Sequence, residues 1–150
     1  MNMRAIVLTV LVLVSIYIVA PARALSAESV GSVKTVQGEA FVDRGGESLP
    51  ARQGLLVHAA DTLRTGSDGS LGILFRDDSI LSLGPDSVFE LEEFQFEPAE
   101  HQFGFLGKIV RGTVSYLSGL MGKLSPESVR FETPEATIGI RGTKFAVQVH

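Results

Sequence analysis

The chain has 150 residues, no cysteine, and 13 Lys and Arg against 17 Asp and Glu. Its length bounds it to one domain. Lack of cysteine excludes a disulfide framework or thiol chemistry, and the acidic balance gives no electrostatic footprint for nucleic acid or anionic lipid.

Residues 1–24 read as a targeting segment. Met1 to Arg4 is a short basic start, Ala5 to Ala20 is apolar apart from Thr9 and Ser15, and Pro21 breaks the run. Ala22-Arg23-Ala24 then supplies the small-x-small pattern read by signal peptidase, so the sequence predicts cleavage after Ala24. As a helix the apolar run spans roughly 24 Å, short of the ~30 Å hydrocarbon core, which disfavours a retained anchor. Losing two arginines (Arg4 and Arg23) leaves 11 basic against 17 acidic residues, a net charge of −6 on residues 25–150. A periplasmic or secreted domain follows, with no stable membrane insertion once the leader is gone.

Beyond Ser32 the dominant period is two. Val33 and Thr35, then Ala40 and Val42, alternate with their neighbours, and Gly45-Gly46 predicts a hairpin into Ser48–Pro50. Leu55–Val57 is a short apolar run, and Asp61–Arg64 leads into a turn-rich stretch ending at Ser70. Leu71–Phe75 and Ile80–Leu83, joined by Arg76-Asp77-Asp78-Ser79, predict the clearest hairpin. After the Gly84–Ser87 turn, Phe89 and Leu91 occupy odd positions whereas Phe94 and Phe96 occupy even ones. One extra residue at Glu92-Glu93 would return all four to one face, which predicts a β-bulge.

Pro98–His101 reads as a polar loop, Phe103–Leu106 and Ile109–Tyr116 as strands, and Leu117, Leu120, Met121 and Leu124 as one short helix. Val129–Thr133 and Lys144–Val149 complete the set. The expected fold is all-β, with many short antiparallel strands in a sandwich or wound β-roll and at most one short helix near residues 116–124.

No constellation of catalytic residues stands out. His58, His101 and His150 are far apart and lack a carboxylate at ligand spacing. The aspartates fall at separate turns without a calcium-loop pattern, which is ordinary turn chemistry. Gly104–Lys108 and Gly119–Lys123 read G-x-x-G-K, too short for a phosphate loop and followed by Ile109 and Leu124. Glu90, Glu92, Glu93 and Glu97 fit a solvated strand face better than a glycosidase pair. No catalytic residue, metal or cofactor is expected.

The tail differs. Ile138-Gly139-Ile140-Arg141-Gly142-Thr143 sets an arginine inside an apolar segment. Burying a guanidinium there demands internal partners, so the pattern favours a structural clamp, with Glu132, Asp61 or Asp78 as candidate acids. Anion or partner recognition is the alternative.

These residues resemble the FecR domain family, extracytoplasmic domains named for regulators of iron-siderophore uptake. The resemblance runs through Gly31–Val33, Gly38–Val42, Asp61–Gly66, Leu74–Leu83, Arg111–Thr113 and Tyr116–Gly119. Its closing signature is Thr133 and Pro134 followed by Gly139, Arg141, Gly142 and Thr143, with Phe145 beyond. The resemblance implies a FecR-like β domain over residues 25–150 that binds or relays a signal through an envelope protein rather than catalysing. Asp78 stands where the family's hairpin turn usually has glycine, which predicts an altered turn. Only four residues precede the apolar run, so no cytoplasmic effector segment is expected. An envelope glycan-binding or structural domain is the second functional class. The absence of Trp, and a single Tyr beyond the leader, weigh against it.

Overall fold

The computed structural model describes residues 27–150. The signal-peptide reading of residues 1–24 therefore lies outside the described residues. Twelve strands form two facing sheets that share one member. In chain order they are β1 (Ser29–Gln37), β2 (Ala40–Arg44), β3 (Glu47–Pro50), β4 (Leu56–His58), β5 (Thr62–Thr65) and β6 (Ser70–Phe75). Then follow β7 (Ile80–Leu83), β8 (Val88–Glu97), β9 (Gln102–Leu117), β10 (Val129–Glu132), β11 (Thr137–Gly139) and β12 (Lys144–Val149). The one α-helix among the described residues, α1, is Leu120–Leu124.

Sheet A runs β4-β1-β6-β7-β9-β12, and sheet B runs β3-β2-β5-β8-β9-β10-β11. The N-terminal half of β9 pairs with β8 and β10, and its C-terminal half pairs with β7 and β12. The strand changes sheets at Gly112, where φ is 89° and an added Cβ would sit 2.3 Å from the Ser87 Oγ. Glycine is required there both for the backbone angle and for the space. The all-β fold is as the sequence predicts. Three details differ. Phe103–Leu106 and Ile109–Tyr116 are one 16-residue strand, Leu117 belongs to that strand and not to the helix, and β10 pairs with β9 in parallel. The parallel pairing is possible because α1 and its linkers return the chain to the start of β9.

The predicted bulge is present. Register slips between Leu91 and Glu93, and Phe89, Leu91 and Phe94 are all buried while Glu92 and Glu93 are exposed. The hairpin turn at Gly45-Gly46 has φ of 56° and 84°, the positive pair that a two-residue turn between twisted strands demands. Asp78 also takes φ of 63°. A short polar side chain tolerates that left-handed region.

The core between the sheets is rich in aromatic rings. Phe131 lies 5.1 Å from Phe105, 5.0 Å from Tyr116 and 4.8 Å from Phe145, centroid to centroid. Among these rings the buried Tyr116 hydroxyl has no hydrogen-bond partner. Burial pushes its pKa up, the Asp77 charge adds to this, and Ser79 acts against it. A raised folded pKa means that this contribution to stability is complete below the unfolded value near 10 and is lost as pH rises beyond it. Tyr116→Phe is accordingly expected to be neutral or to stabilise by up to about 1 kcal/mol at pH 7. It should also flatten the loss of stability above about pH 10. Chemical denaturation of both proteins at pH 7 and pH 10.5 checks this, and a variant that is clearly less stable at pH 7 would refute it.

Candidate functional site

Several motif residues are consumed by the fold. The Asp61 carboxylate is 1% exposed and accepts from Arg44 Nε at 2.8 Å, from Arg44 Nη2 at 2.7 Å and from the His58 backbone N–H at 2.8 Å. Arg64 binds Asp43 in the same bidentate way and holds that carboxyl below its usual range. Asp77 is fully buried. Its Oδ1 accepts from the Ser79 backbone N–H and hydroxyl, its Oδ2 from the Met121 N–H, and its carbonyl from the Leu120 N–H. The β6–β7 turn thus caps the start of α1, and Gly119 packs so closely that an added Cβ would lie 2.1 Å from the Asp77 carbonyl oxygen. Composition alone made Asp61 and Asp77 look like ordinary turn aspartates; their burial was the missing information.

The closing signature divides into two parts. Thr133 and Pro134 make the β10–β11 turn, where the Thr133 Oγ1 accepts from the Ala136 N–H at 3.0 Å, and the Thr143 carbonyl accepts from the Ser118 N–H at 2.7 Å. Gly142 has φ of 114°, which glycine alone adopts readily. Gly139 has no atom within 4 Å of an added Cβ. Arg141 is exposed and has no ion-pair or side-chain hydrogen-bond partner among the described residues. The clamp expectation fails here: Asp61 is taken by Arg44, and β11 and β12 carry the apolar residues inward while leaving the joint between them at the surface.

The hollow beside His58 has a volume of about 450 Å³ and is lined by Arg44, Arg52, Gln53, Leu55 and Leu56, with no carboxylate. No group of three His, Asp or Glu side chains suited to a metal ion occurs among the described residues.

The outer faces of the two sheets contrast sharply. On sheet B, Asp43, Thr62, Glu90, Lys108 and Glu132 lie side by side in register, and Lys108 approaches Glu90 at 3.6 Å. On sheet A the matching row reads Leu56, Ser32, Leu74, Ile80, Leu117 and, at the edge, Lys144. The next row is Thr35, Gly72, Ser82, Ser115 and Ala146. Leu56 is 52% exposed and Leu117 42% exposed, and Leu120 and Leu124 add exposed apolar surface just after β9. The eleven residues of the two rows form one mostly apolar stripe and one stripe of small side chains, with Lys144 at the edge and exposed Lys34 beside them in β1. A solvated sheet face normally carries charges, as sheet B does. Only cross-strand register aligns these residues.

No helix among the described residues is long and apolar enough to cross a membrane. One protein-family model, described as FecR protein, matches residues 61–150. No curated protein and no solved structure matches the chain.

Proposed function

The chain belongs to the FecR family, a family of regulatory and signalling proteins, and from that premise we propose that it is a non-enzymatic extracytoplasmic module acting through an envelope protein. The observation that carries this reading is the sparsely charged outer face of sheet A, where Lys144 stands at the edge and Lys34 in β1. Contiguous apolar surface is costly to leave in water, and a flat patch rimmed by polar residues is suited to a protein partner. Export, signalled by residues 1–24, would place the whole domain on one side of the membrane, so a message to the cytoplasm would have to pass through another protein. A glycan-binding role is less well supported, because sugars are usually held on exposed aromatic platforms. Among the described residues every Phe and Tyr ring is buried or half-buried.

Leu117→Asp tests the reading. It places a carboxylate in the stripe, beside its β12 edge, without touching the core, so stability should change by less than about 0.5 kcal/mol. Crosslinking of the exported domain in native envelope should give a partner adduct with the parent protein and at least a tenfold weaker one with the variant. Equal adduct from both proteins would remove sheet A as the binding face.

A further inference from the structure

Charge is segregated between the two sheets. The segments that build sheet A are β1, β4, β6, β7, β12 and Gly112–Leu117 of β9, and none contains an aspartate or glutamate. Sheet B carries acids in β2, β3, β8 and β10. Residues 25–150 hold 11 basic against 17 acidic side chains, so sheet A is a face from which the prevailing charge is kept out. Its two lysines, Lys34 in β1 and Lys144 in β12, are exposed and make no ion pair among the described residues. Four strand spacings separate them, about 19 Å in all, with Leu74, Ile80 and Leu117 on the strands between. At the far end of the apolar row, Arg52 lines the same hollow as Leu56 and is likewise exposed without an ion pair.

We propose that the partner docks on this face through an acidic protein surface, whose carboxylates meet Lys34 and Lys144 on either side of an apolar centre. The proposal rests on sheet A being the partner-binding face. Charge and composition select this occupant over two others. A second copy laid face to face would bring two more lysines and, from its own strands, no carboxylate to meet them. An anionic lipid surface would also attract the lysines, yet proteins settle into a bilayer interface on exposed Trp and Tyr. This face presents no aromatic ring, because Phe75, Tyr116 and Phe145 pack into the core. An acidic protein surface meets both the apolar row and the lysines. The domain as a whole repels such a partner, so the one sheet without carboxylates also selects the orientation of approach.

The test places a photo-crosslinking residue at Thr113, exposed on the same face, and irradiates the exported domain in native envelope. The adduct should fall at least fivefold between about 50 and about 500 mM NaCl, as exposed charges are screened. Lys34→Glu combined with Lys144→Glu should lower it about tenfold at the lower salt and leave the melting temperature unchanged, because both side chains are exposed and unpaired. Lys34→Arg combined with Lys144→Arg should keep it. The crosslinked segment of the partner, sequenced by mass spectrometry, should contain Asp or Glu.

An adduct lost in Leu117→Asp but indifferent to salt and to charge reversal would leave sheet A as the docking face and overturn its acidic complement. An adduct unchanged by Leu117→Asp, or none with the parent protein, would overturn both. Two further results would sink the acidic partner alone. One is binding of the parent to phosphatidylglycerol vesicles that the double reversal abolishes, which assigns the lysines to a lipid surface. The other is a sedimenting dimer that Leu117→Asp dissociates, which assigns the face to a second copy.

Discussion

Asp77→Ala should cost about 3 kcal/mol or more and lower the melting temperature by roughly 10–15 °C. The carboxylate collects three donors in a fully buried site: the Ser79 amide, the Ser79 hydroxyl and the Met121 amide. Alanine leaves all three without a partner and leaves space that water cannot readily supply with the right geometry. Asp77→Asn should fall between, because one oxygen remains to accept while the new amide hydrogens face a donor. Thermal melts of the three proteins check the order. If Asp77→Ala melts within a few degrees of the parent, the turn-to-helix cap is not a source of stability.

Phe131→Ala should be at least as damaging, at about 3–5 kcal/mol. The ring is fully buried and touches Phe105, Tyr116 and Phe145, so its loss leaves a cavity among rigid rings that cannot collapse into it. The loss should not be uniform. Phe145 on β12 rests on Phe131, so β12 should loosen more than β1 or β6. Hydrogen exchange resolved by segment reads this: protection over 144–149 should fall further than global destabilisation requires. Equal loss in all strands would mean that β12 is held by its pairing with β9 alone.

Much of the architecture was legible because it is local. Alternation placed Val33, Val42, Phe89 and Leu91 inward, the double glycine at 45–46 marked its turn, and the phase change between Leu91 and Phe94 marked the bulge. What escaped is non-local. Gly107 and Lys108 look like a break between two strands, yet Gly107 is where β9 passes under the Phe89 ring, and the strand continues. Thr137–Gly139 is too short for a period to be seen and exists by pairing with β10. Arg141 invited a buried clamp because its neighbours are apolar. Those neighbours turn inward and the arginine does not, which no spacing rule distinguishes in an irregular joint. The apolar stripe of sheet A draws its members from five strands, and register between distant strands is set by the whole core.

The sharing of β9 has a consequence for how the molecule comes apart. A sandwich of two independent sheets can open like a book, one leaf at a time, and so populate half-folded forms. Here the spine is itself a page of both leaves. Withdrawing β9 from sheet A strips β7 and β12 of a neighbour, and the same act bends away the segment that holds β8 and β10. The partial opening that keeps one sheet intact is therefore denied, and loss of structure is all-or-none apart from fraying at the edge strands β3, β4, β11 and β12. That absence of a half-open state leaves few cleavable segments exposed at any moment.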